Sequence, residues 1–456
     1  MVYSFNYRRP RLVESSAAST ISFEEKTRSI HESVNSGTSG SSRGIPDALS
    51  FDRIISGGTC PPCTTRDFMN YLIHIELSAE NLQFYLWYRD YCKRFDELPS
   101  SERVLAPEWT PAQAEAAIQA AQVAVTAQKK VSPETAEMFK DTDFAGGPRV
   151  HVTETSNNPF STPPRTPAAE REEDGHDWHS VSNDGASTLQ GSHQQSIASK
   201  AAGAFQNADL KWQPFTVQPF REEVARVITT YIAEGSPREL NLSSRERVAV
   251  LHALKNTTHP SAFRTIAATV EWSLRFQAHP NFIRWAICNG NRPRVIFARG
   301  LGVGGILLGT VAAILITLSD VGRGYRALAA IGWAIGIATL IAAWKGMCVV
   351  LHGMHHRHLR PWELFAEDED AGSDYELKKA SFDSLGSSNS YEDQPWVAKY
   401  ERRNIIRKVF DREVWIQEPA LRSIQDTIFI QAIVGAVVIS AVCTAVFVAL
   451  PHGGYY

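Results

Sequence analysis

Two groups of residues have types and spacing that could support redox or metal chemistry, and the first is Cys60-Pro-Pro-Cys63. A Cys-x-x-Cys pair is a redox motif when it lies beside a βαβ unit, and half of a zinc site when a second pair is present. Neither context is found, so we interpret this pair as a stiff, proline-rich entry into the next helix. The six cysteines are otherwise scattered singly, which is typical of a reducing compartment.

The second group is His352, His355, His356 and His358. Imidazole is a common metal ligand, but no cysteine or carboxylate supports these histidines in the sequence. We therefore favour a polar rim that faces lipid headgroups over a metal site, and we expect no cofactor. We find no nucleophile elbow, phosphate-binding loop or metal signature in the sequence, so we do not expect an enzyme.

Composition limits the possible partners and the ordered segments. The chain has 46 Lys and Arg against 49 Asp and Glu in 456 residues, so no excess of positive charge favours nucleic acid. Residues 1–45 are rich in Ser, Thr and Gly and are expected to form a disordered tail, and 101–211 is expected to be a largely disordered insertion. Thr162 and Thr166, each followed by Pro, would suit proline-directed kinases, although plain low-complexity sequence explains them equally well.

The ordered segments before the apolar runs have helical periodicity. Apolar residues recur at helical spacing from Arg66 to Phe95, and Ser78 is expected to cap the second of two helices with its hydroxyl. A second helical region covers 212–290, where Ser236 to Glu239 and Ser243 to Glu246 both have the capping-box pattern. These segments predict an all-α bundle with a long insertion in one connection, which costs little free energy because loop-closure entropy grows slowly with length.

Both halves of this bundle contain strings that resemble a known family. Glu76 followed by SAENLQFY, residues 78–85, resembles the first signature of the regulator-of-G-protein-signalling (RGS) domain. ELNLSSRERVAVLHAL, at 239–254, and NFIRWAI, at 281–287, resemble its C-terminal half. The resemblance covers about 48–100 and 212–288, and it implies an RGS-like helical bundle whose two halves are 46–100 and 212–290.

The resemblance also implies a partner and a set of contact residues. RGS domains bind the switch regions of a Gα subunit and stabilise its transition-state conformation, so that the GTPase itself carries out the hydrolysis. Asn81 matches the asparagine that contacts the switches, Asn241 the asparagine placed at the Gα active site, and Arg284 the arginine that supports the contact loop. The implied Gα-binding residues are Glu80, Asn81, Asn241, Leu242 and Arg284.

The sequence departs from the family at two places. Ser243 follows Asn-Leu where the family usually has Asp, and His279-Pro280 occupies the region of a second usual Asp. Those carboxylates normally fix the contact loop and bond the switch backbone. Their absence favours an alternative in which the bundle serves as a membrane landmark or scaffold without accelerating GTP hydrolysis.

Three apolar segments predict transmembrane helices. Two lie within 295–351, at about 300–318 and 327–347, and the third is 427–450. The connection 352–426 is mostly polar. The spans contain no Asp or Glu, which argues against a transporter. Gly-x-x-x-Gly pairs, at Gly305 and Gly309 and at Gly332 and Gly336, could allow close helix packing.

Arginines cluster before the first span, after the second and before the third, so the positive-inside rule places the N-terminal domain in the cytosol. An RGS-like domain followed by three spans resembles fungal membrane RGS proteins of bud-site selection and polarised growth. This architecture implies a multi-pass protein of the plasma membrane that attenuates Gα signalling. Its expected partners are Gα, the lipid bilayer and a second membrane protein of the polarity machinery, with no nucleic acid.

Overall fold

The computed structural model describes residues 22–36, 45–110, 112–113, 116, 200–207, 218–369, 389–391, 394–451, 453 and 455. Within these residues the chain is mostly helical, with one two-stranded sheet. A helical bundle is followed by long apolar helices, and a membrane-proximal region joins the two. The all-α prediction is therefore right in outline but does not include the sheet.

The bundle consists of short and medium helices, several of which continue into a wider turn. The helices are α1 (Phe23–Ser36), α2 (Phe51–Ile55), α3 (Thr65–Tyr71), α4 (Ala79–Asp96), α5 (Ser100–Arg103), α6 (Arg221–Val227), α7 (Ser244–Asn256), α8 (Arg264–Ser273) and α9 (His279–Ala286). Short 3₁₀ segments lie at Asp47–Leu49 and Pro260–Phe263, and π turns extend α3, α6 and α8 at Leu72–Glu76, Ile228–Ile232 and Leu274–Ala278. The predicted insertion enters the connection between α5 and α6.

Capping explains where α7 begins. Ser243 Oγ accepts from the amide of Glu246 at 3.3 Å, and the Glu246 carboxylate accepts from the amide of Ser243 at 2.9 Å, which confirms this capping box. Two related predictions are wrong. The carbonyl of Ser78 accepts from the amide of Asn81 at 3.3 Å, but in the described structure its hydroxyl caps no amide. The chain after Ser236 forms a turn and an extended segment instead of a helix.

Helix α1 lies inside the tail predicted to be disordered, so the structure corrects that prediction for residues 23–36. Lys26, Ile30 and Ser33 recur on one face of α1, and Lys26 and Ser33 are buried. Lys26 Nζ donates to Thr269 Oγ1 of α8 at 3.5 Å. Phe23, Ile30 and Val34 are the only large apolar residues of α1, so its composition resembles that of a disordered tail.

The two ends of the insertion pack on the bundle. The amide of Trp109 donates to Ser261 Oγ at 2.7 Å, and Thr257 Oγ1 donates to the carbonyl of Pro107 at 2.7 Å. Residues 200–207 are helical, and Phe205 is fully buried in the bundle core. The prediction of disorder is thus corrected at both ends. Thr162 and Thr166 lie outside the described residues.

Aromatic side chains dominate the bundle core. The ring of Phe263 lies 5.2 Å from Trp87, 6.1 Å from Tyr91 and 6.2 Å from Phe84, measured between ring centroids. Aromatic pairs of this kind contribute about 0.5–1.5 kcal/mol beyond the burial of their area. Large rings contributed by both halves of the bundle therefore add to the stability of this core.

Three helices are long and apolar enough to cross a membrane, and they lie at the three predicted spans. They are α10 (Arg292–Leu318), α11 (Ala329–Trp344), which a 3₁₀ turn at Arg323–Leu328 precedes, and α16 (Pro419–Ala449). Arg326 of this turn is buried, and its Nη1 donates to the carbonyls of Phe447 and Leu450 at 2.8 and 2.6 Å. It thereby satisfies carbonyl groups at the end of α16.

Glycines allow α10 and α11 to approach closely. A Cβ atom added at Gly336 would lie 2.7 Å from the carbonyl oxygen of Gly302, and one added at Gly332 would lie 2.9 Å from Gly309 Cα. Trp333 Nε1 donates to Thr310 Oγ1 across the same contact at 3.0 Å. Small residues at such contacts let backbones meet in the membrane.

The connection predicted as a loop at 352–426 contains regular structure. Its elements and the helix just before it are α12 (Val349–Gly353), β1 (His356–His358), α13 (Pro361–Glu369), α14 (Pro395–Glu401), α15 (Ile405–Val409) and β2 (Glu413–Trp415). The strands pair antiparallel with Arg357 opposite Val414. Each strand has three residues, which is too short for an alternating pattern to be recognised in the sequence.

Backbone and side-chain hydrogen bonds attach the bundle to the membrane helices. The carbonyl of Pro61 accepts from the amide of Glu418, and the Glu418 carboxylate accepts from the amide of Cys60 at 2.8 Å. Gln425 Nε2 of α16 donates to the carbonyl of Ile287 at 3.0 Å. One continuous apolar core therefore extends from the bundle to the near ends of α11 and α16.

Candidate binding surface

Two turns from separate halves of the bundle line one cleft. The turn at 77–80 connects α3 to α4, and the turn at 237–239 precedes α7; together they border a cavity of about 380 Å³. Leu77 has φ +55°, so the chain reverses sharply there, and its side chain is 65 % exposed. The cleft thus joins the two strings that carry the family resemblance.

Asn241 follows the 237–239 turn, does not itself line the cleft, and is exposed by a tight turn of the chain. Leu240 and Leu242 are buried in the bundle core, whereas Asn241 between them is exposed. The amide of Leu240 donates to the carbonyl of Tyr231 at 2.9 Å and fixes the segment on the bundle. The amide of Leu242 donates to the carbonyl of Leu240 at 2.7 Å, so Asn241 is the central residue of a γ-turn between two buried leucines.

The remaining residues implied by the resemblance are less accessible. Glu80 lines the cleft; burial raises the pKa of its carboxyl, and a hydrogen bond from Asn389 partly offsets that effect. Asn81 and Arg284 are half-buried and do not border the cleft, and Leu242 is a core residue. The structure therefore brings Glu80 to the cleft and displays Asn241, but it does not gather all five residues on one exposed patch.

Sequence reasoning missed two cleft residues and the segment that covers them. Arg238 and Glu239 border the same cleft as Glu80. In the sequence, only their position just before Asn241 indicated that they could belong to a binding surface. Residues 389–391, which belong to the membrane-proximal region, also line the cleft. Asn389 exchanges two hydrogen bonds with Gln83 of α4, at 3.1 and 3.4 Å.

Aromatic rings around His74 extend this cover. Trp362 stacks on the His74 ring at 4.4 Å, and Tyr391 and Trp396 approach it edge-on at 5.0 and 5.5 Å. Burial lowers the pKa of His74 to about 4. The neutral imidazole is therefore held among aromatic rings that fix Tyr391 and Trp396 against the α3–α4 corner.

The regions that depart from the family have structural roles. Ser243 caps α7, as described above. His279 is fully buried, its Nε2 lies 2.8 Å from the carbonyl oxygen of Leu49, and burial lowers its pKa to about 4. Pro280 is buried beside it. These side chains support the core and provide no carboxylate to the cleft.

The two groups with possible metal or redox chemistry are arranged otherwise. Cys60 is exposed and Cys63 is buried, both are free thiols, and burial raises the pKa of Cys63 well above its usual value. His352 and His355 approach Asp426 of α16, with Nε2 to Oδ1 distances of 3.4 and 3.6 Å. Within the described ranges, no three His, Cys, Asp or Glu side chains are arranged to hold a metal ion.

Comparison of the chain with protein-family models, curated proteins and solved structures finds no match. The case for any function therefore depends on the motifs and the geometry described above.

Proposed function

We propose that this protein is a membrane-anchored, RGS-type regulator that binds a Gα subunit and attenuates its signal. The observation that carries the proposal is the meeting of the 77–80 turn with the 237–239 turn, which an exposed Asn241 follows two residues later in the chain. A family-like contact surface requires these two halves, which are far apart in sequence, to lie on one face.

The three apolar helices support the same proposal. Gα subunits carry lipid anchors, so a bundle fixed at the plasma membrane, on the cytosolic side, would meet them at a high effective concentration. The direct backbone attachment of the bundle to α16 limits its distance from the bilayer. A short, rigid connection of this kind favours encounters with partners held at the same surface.

Single-turnover GTP hydrolysis tests this function. The full chain in nanodiscs would be added to a panel of GTP-loaded Gα subunits, with Asn241→Ala and Asn207→Ala as matched variants, since both asparagines are exposed. We expect acceleration by the wild type and by Asn207→Ala, and little by Asn241→Ala. Equal rates with and without the chain across the panel would contradict GTPase activation.

A second candidate is a landmark or scaffold for polarised growth that acts without affecting GTP hydrolysis. It is favoured by residues 389–391, which lie over the cleft, and by the absence of the family's usual carboxylates at Ser243 and Pro280. In this case the partner is a second membrane protein. Retention of such a protein by the chain, with no binding of any Gα, would support this alternative.

A further inference from the structure

Short helix α15 exposes large apolar side chains next to the first apolar helix. Ile405, Ile406 and Phe410 are 68 %, 64 % and 63 % exposed. The ring of Phe410 packs edge-on against Phe297 of α10, with 5.8 Å between ring centroids. Exposed apolar groups clustered in this way are costly in water and mark a contact surface.

Hydrogen bonds fix α15 at a defined depth along α10. Asn291 Nδ2 donates to the carbonyl of Lys408 at 2.6 Å, and Arg294 Nη1 donates to the carbonyl of Val409 at 3.1 Å. The uncharged run of α10 starts at Gly300, and Phe297 lies about 5 Å before it at 1.5 Å per residue. This places α15 at the level where headgroups meet acyl chains, the depth at which interfacial helices lie.

The two chain segments that carry the apolar cluster also carry exposed positive charge. Arg292, Arg299, Arg402 and Arg407 are exposed, and none of them forms an ion pair with another described residue. Glu401 is exposed on the same stretch and leaves a clear excess of positive charge. By contrast, the neighbouring Arg403 is paired with a buried aspartate at 3.1 Å.

We propose that α15 and the first turns of α10 form a binding surface for anionic phospholipids in the leaflet next to the bundle. Ile405, Ile406 and Phe410 enter the upper acyl region, and the four exposed arginines bind lipid phosphates and carboxylates. Apolar insertion combined with basic residues is the arrangement that recognises an anionic membrane surface. This inference is independent of any Gα partner.

Spin-labelled lipids test the proposal on the full chain reconstituted in phosphatidylcholine. Electron paramagnetic resonance gives the association of labelled phosphatidylserine relative to labelled phosphatidylcholine. We expect about a fivefold preference for phosphatidylserine, which high salt reduces. Arg402→Gln with Arg407→Gln should lower this ratio by about half, because two of the four arginines remain, and the matched pair Lys93→Gln with Arg103→Gln, exposed on the bundle, should leave it unchanged.

Equal association of both lipids with the wild type would overturn the proposal, and so would an equal loss in the two double variants. A nitroxide at position 406, introduced as Ile406→Cys in a chain whose own cysteines are replaced by alanine, tests the depth separately. We expect greater accessibility to oxygen than to a water-soluble nickel complex. The reverse order would show that α15 stays in water and would also overturn the proposal.

Discussion

The helices of the bundle pack against one another through large residues, whereas α10 and α11 pack through small ones. In the bundle, Phe263 and its aromatic neighbours fill the space between helices with large rings. Between α10 and α11, Gly302, Gly332 and Gly336 remove side chains so that the backbones meet. Water drives burial of apolar area in the first case, whereas lipid offers no such drive in the second.

This difference shows which substitutions each region tolerates. The bundle should be sensitive to the loss of volume, because cavities form in a closely packed core. The glycine contact should be sensitive to the gain of volume, because backbone atoms cannot move aside. Where the two regions meet, a shared apolar core is supplemented by hydrogen bonds between Glu418 and the Pro61 loop.

The largest expected effect is at the glycine contact. Gly336→Val would place its Cβ 2.7 Å from the carbonyl oxygen of Gly302, so we expect the α10–α11 pair to lose more than about 4 kcal/mol. Gly304→Val, in the facing helix α10, is the control, since a Cβ there meets nothing within 4 Å. Thermal denaturation in detergent, followed by size-exclusion chromatography, measures both. Equal midpoints would show that close packing is unimportant.

Truncation in the bundle should come next. Phe263→Ala removes a fully buried ring and is expected to cost about 3–5 kcal/mol of stability. Val104→Ala, at a side chain that is 79 % exposed, should change the stability by less than about 0.5 kcal/mol. Hydrogen exchange of the bundle amides in the full chain reports the difference. Similar protection in both variants would contradict the aromatic core described here.

The stability of the bundle should depend on pH because His279 is buried as a neutral imidazole. The folded-state pKa of His279 is about 4, below its usual value of 6.5, so the unfolded chain binds the extra proton first. The stability should therefore be complete above pH 6.5 and fall by up to about 3 kcal/mol as the pH falls to 4. His279→Gln should flatten this dependence in denaturation midpoints. His74 contributes in the same direction, so an unchanged slope in the variant would contradict the role of His279.

The smallest expected effect is at the cover over the cleft. Asn389→Ala removes its two hydrogen bonds with Gln83, for a net loss of about 1 kcal/mol, and should increase exchange of the first amides of α4. Gln83→Ala should have the same effect, and the double variant should add little, because both changes remove one interaction. Additive losses would show that the two side chains act separately.

Long, strongly patterned segments were predictable from the sequence. Regular apolar spacing predicted α3 and α4, and uncharged runs predicted α10, α11 and α16. Helix α1 was not predicted, because its many polar and charged residues resemble the composition of a disordered tail. The pairing of β1 with β2 and the contact of Pro61 with Glu418 depend on chain segments that meet only after folding.

The candidate surface was predictable only in part. Asn241 between two leucines was identified by resemblance, and its exposure follows from burial of its neighbours. The position of Asn389 over Gln83 has no local signal, because the two residues are widely separated in the sequence. Arg238 and Glu239 border the cleft from a turn, whereas the capping-box pattern predicted the start of a helix at this place.

The most direct test of the central claim is equilibrium binding of Gα, loaded with GDP and a transition-state mimic, to the full chain in nanodiscs. We expect measurable binding by the wild type and by Asn207→Ala. Binding by Asn241→Ala should be at least about tenfold weaker, which is the loss expected for a central contact residue. Binding that Asn241→Ala leaves intact, or no binding by the wild type, would contradict it.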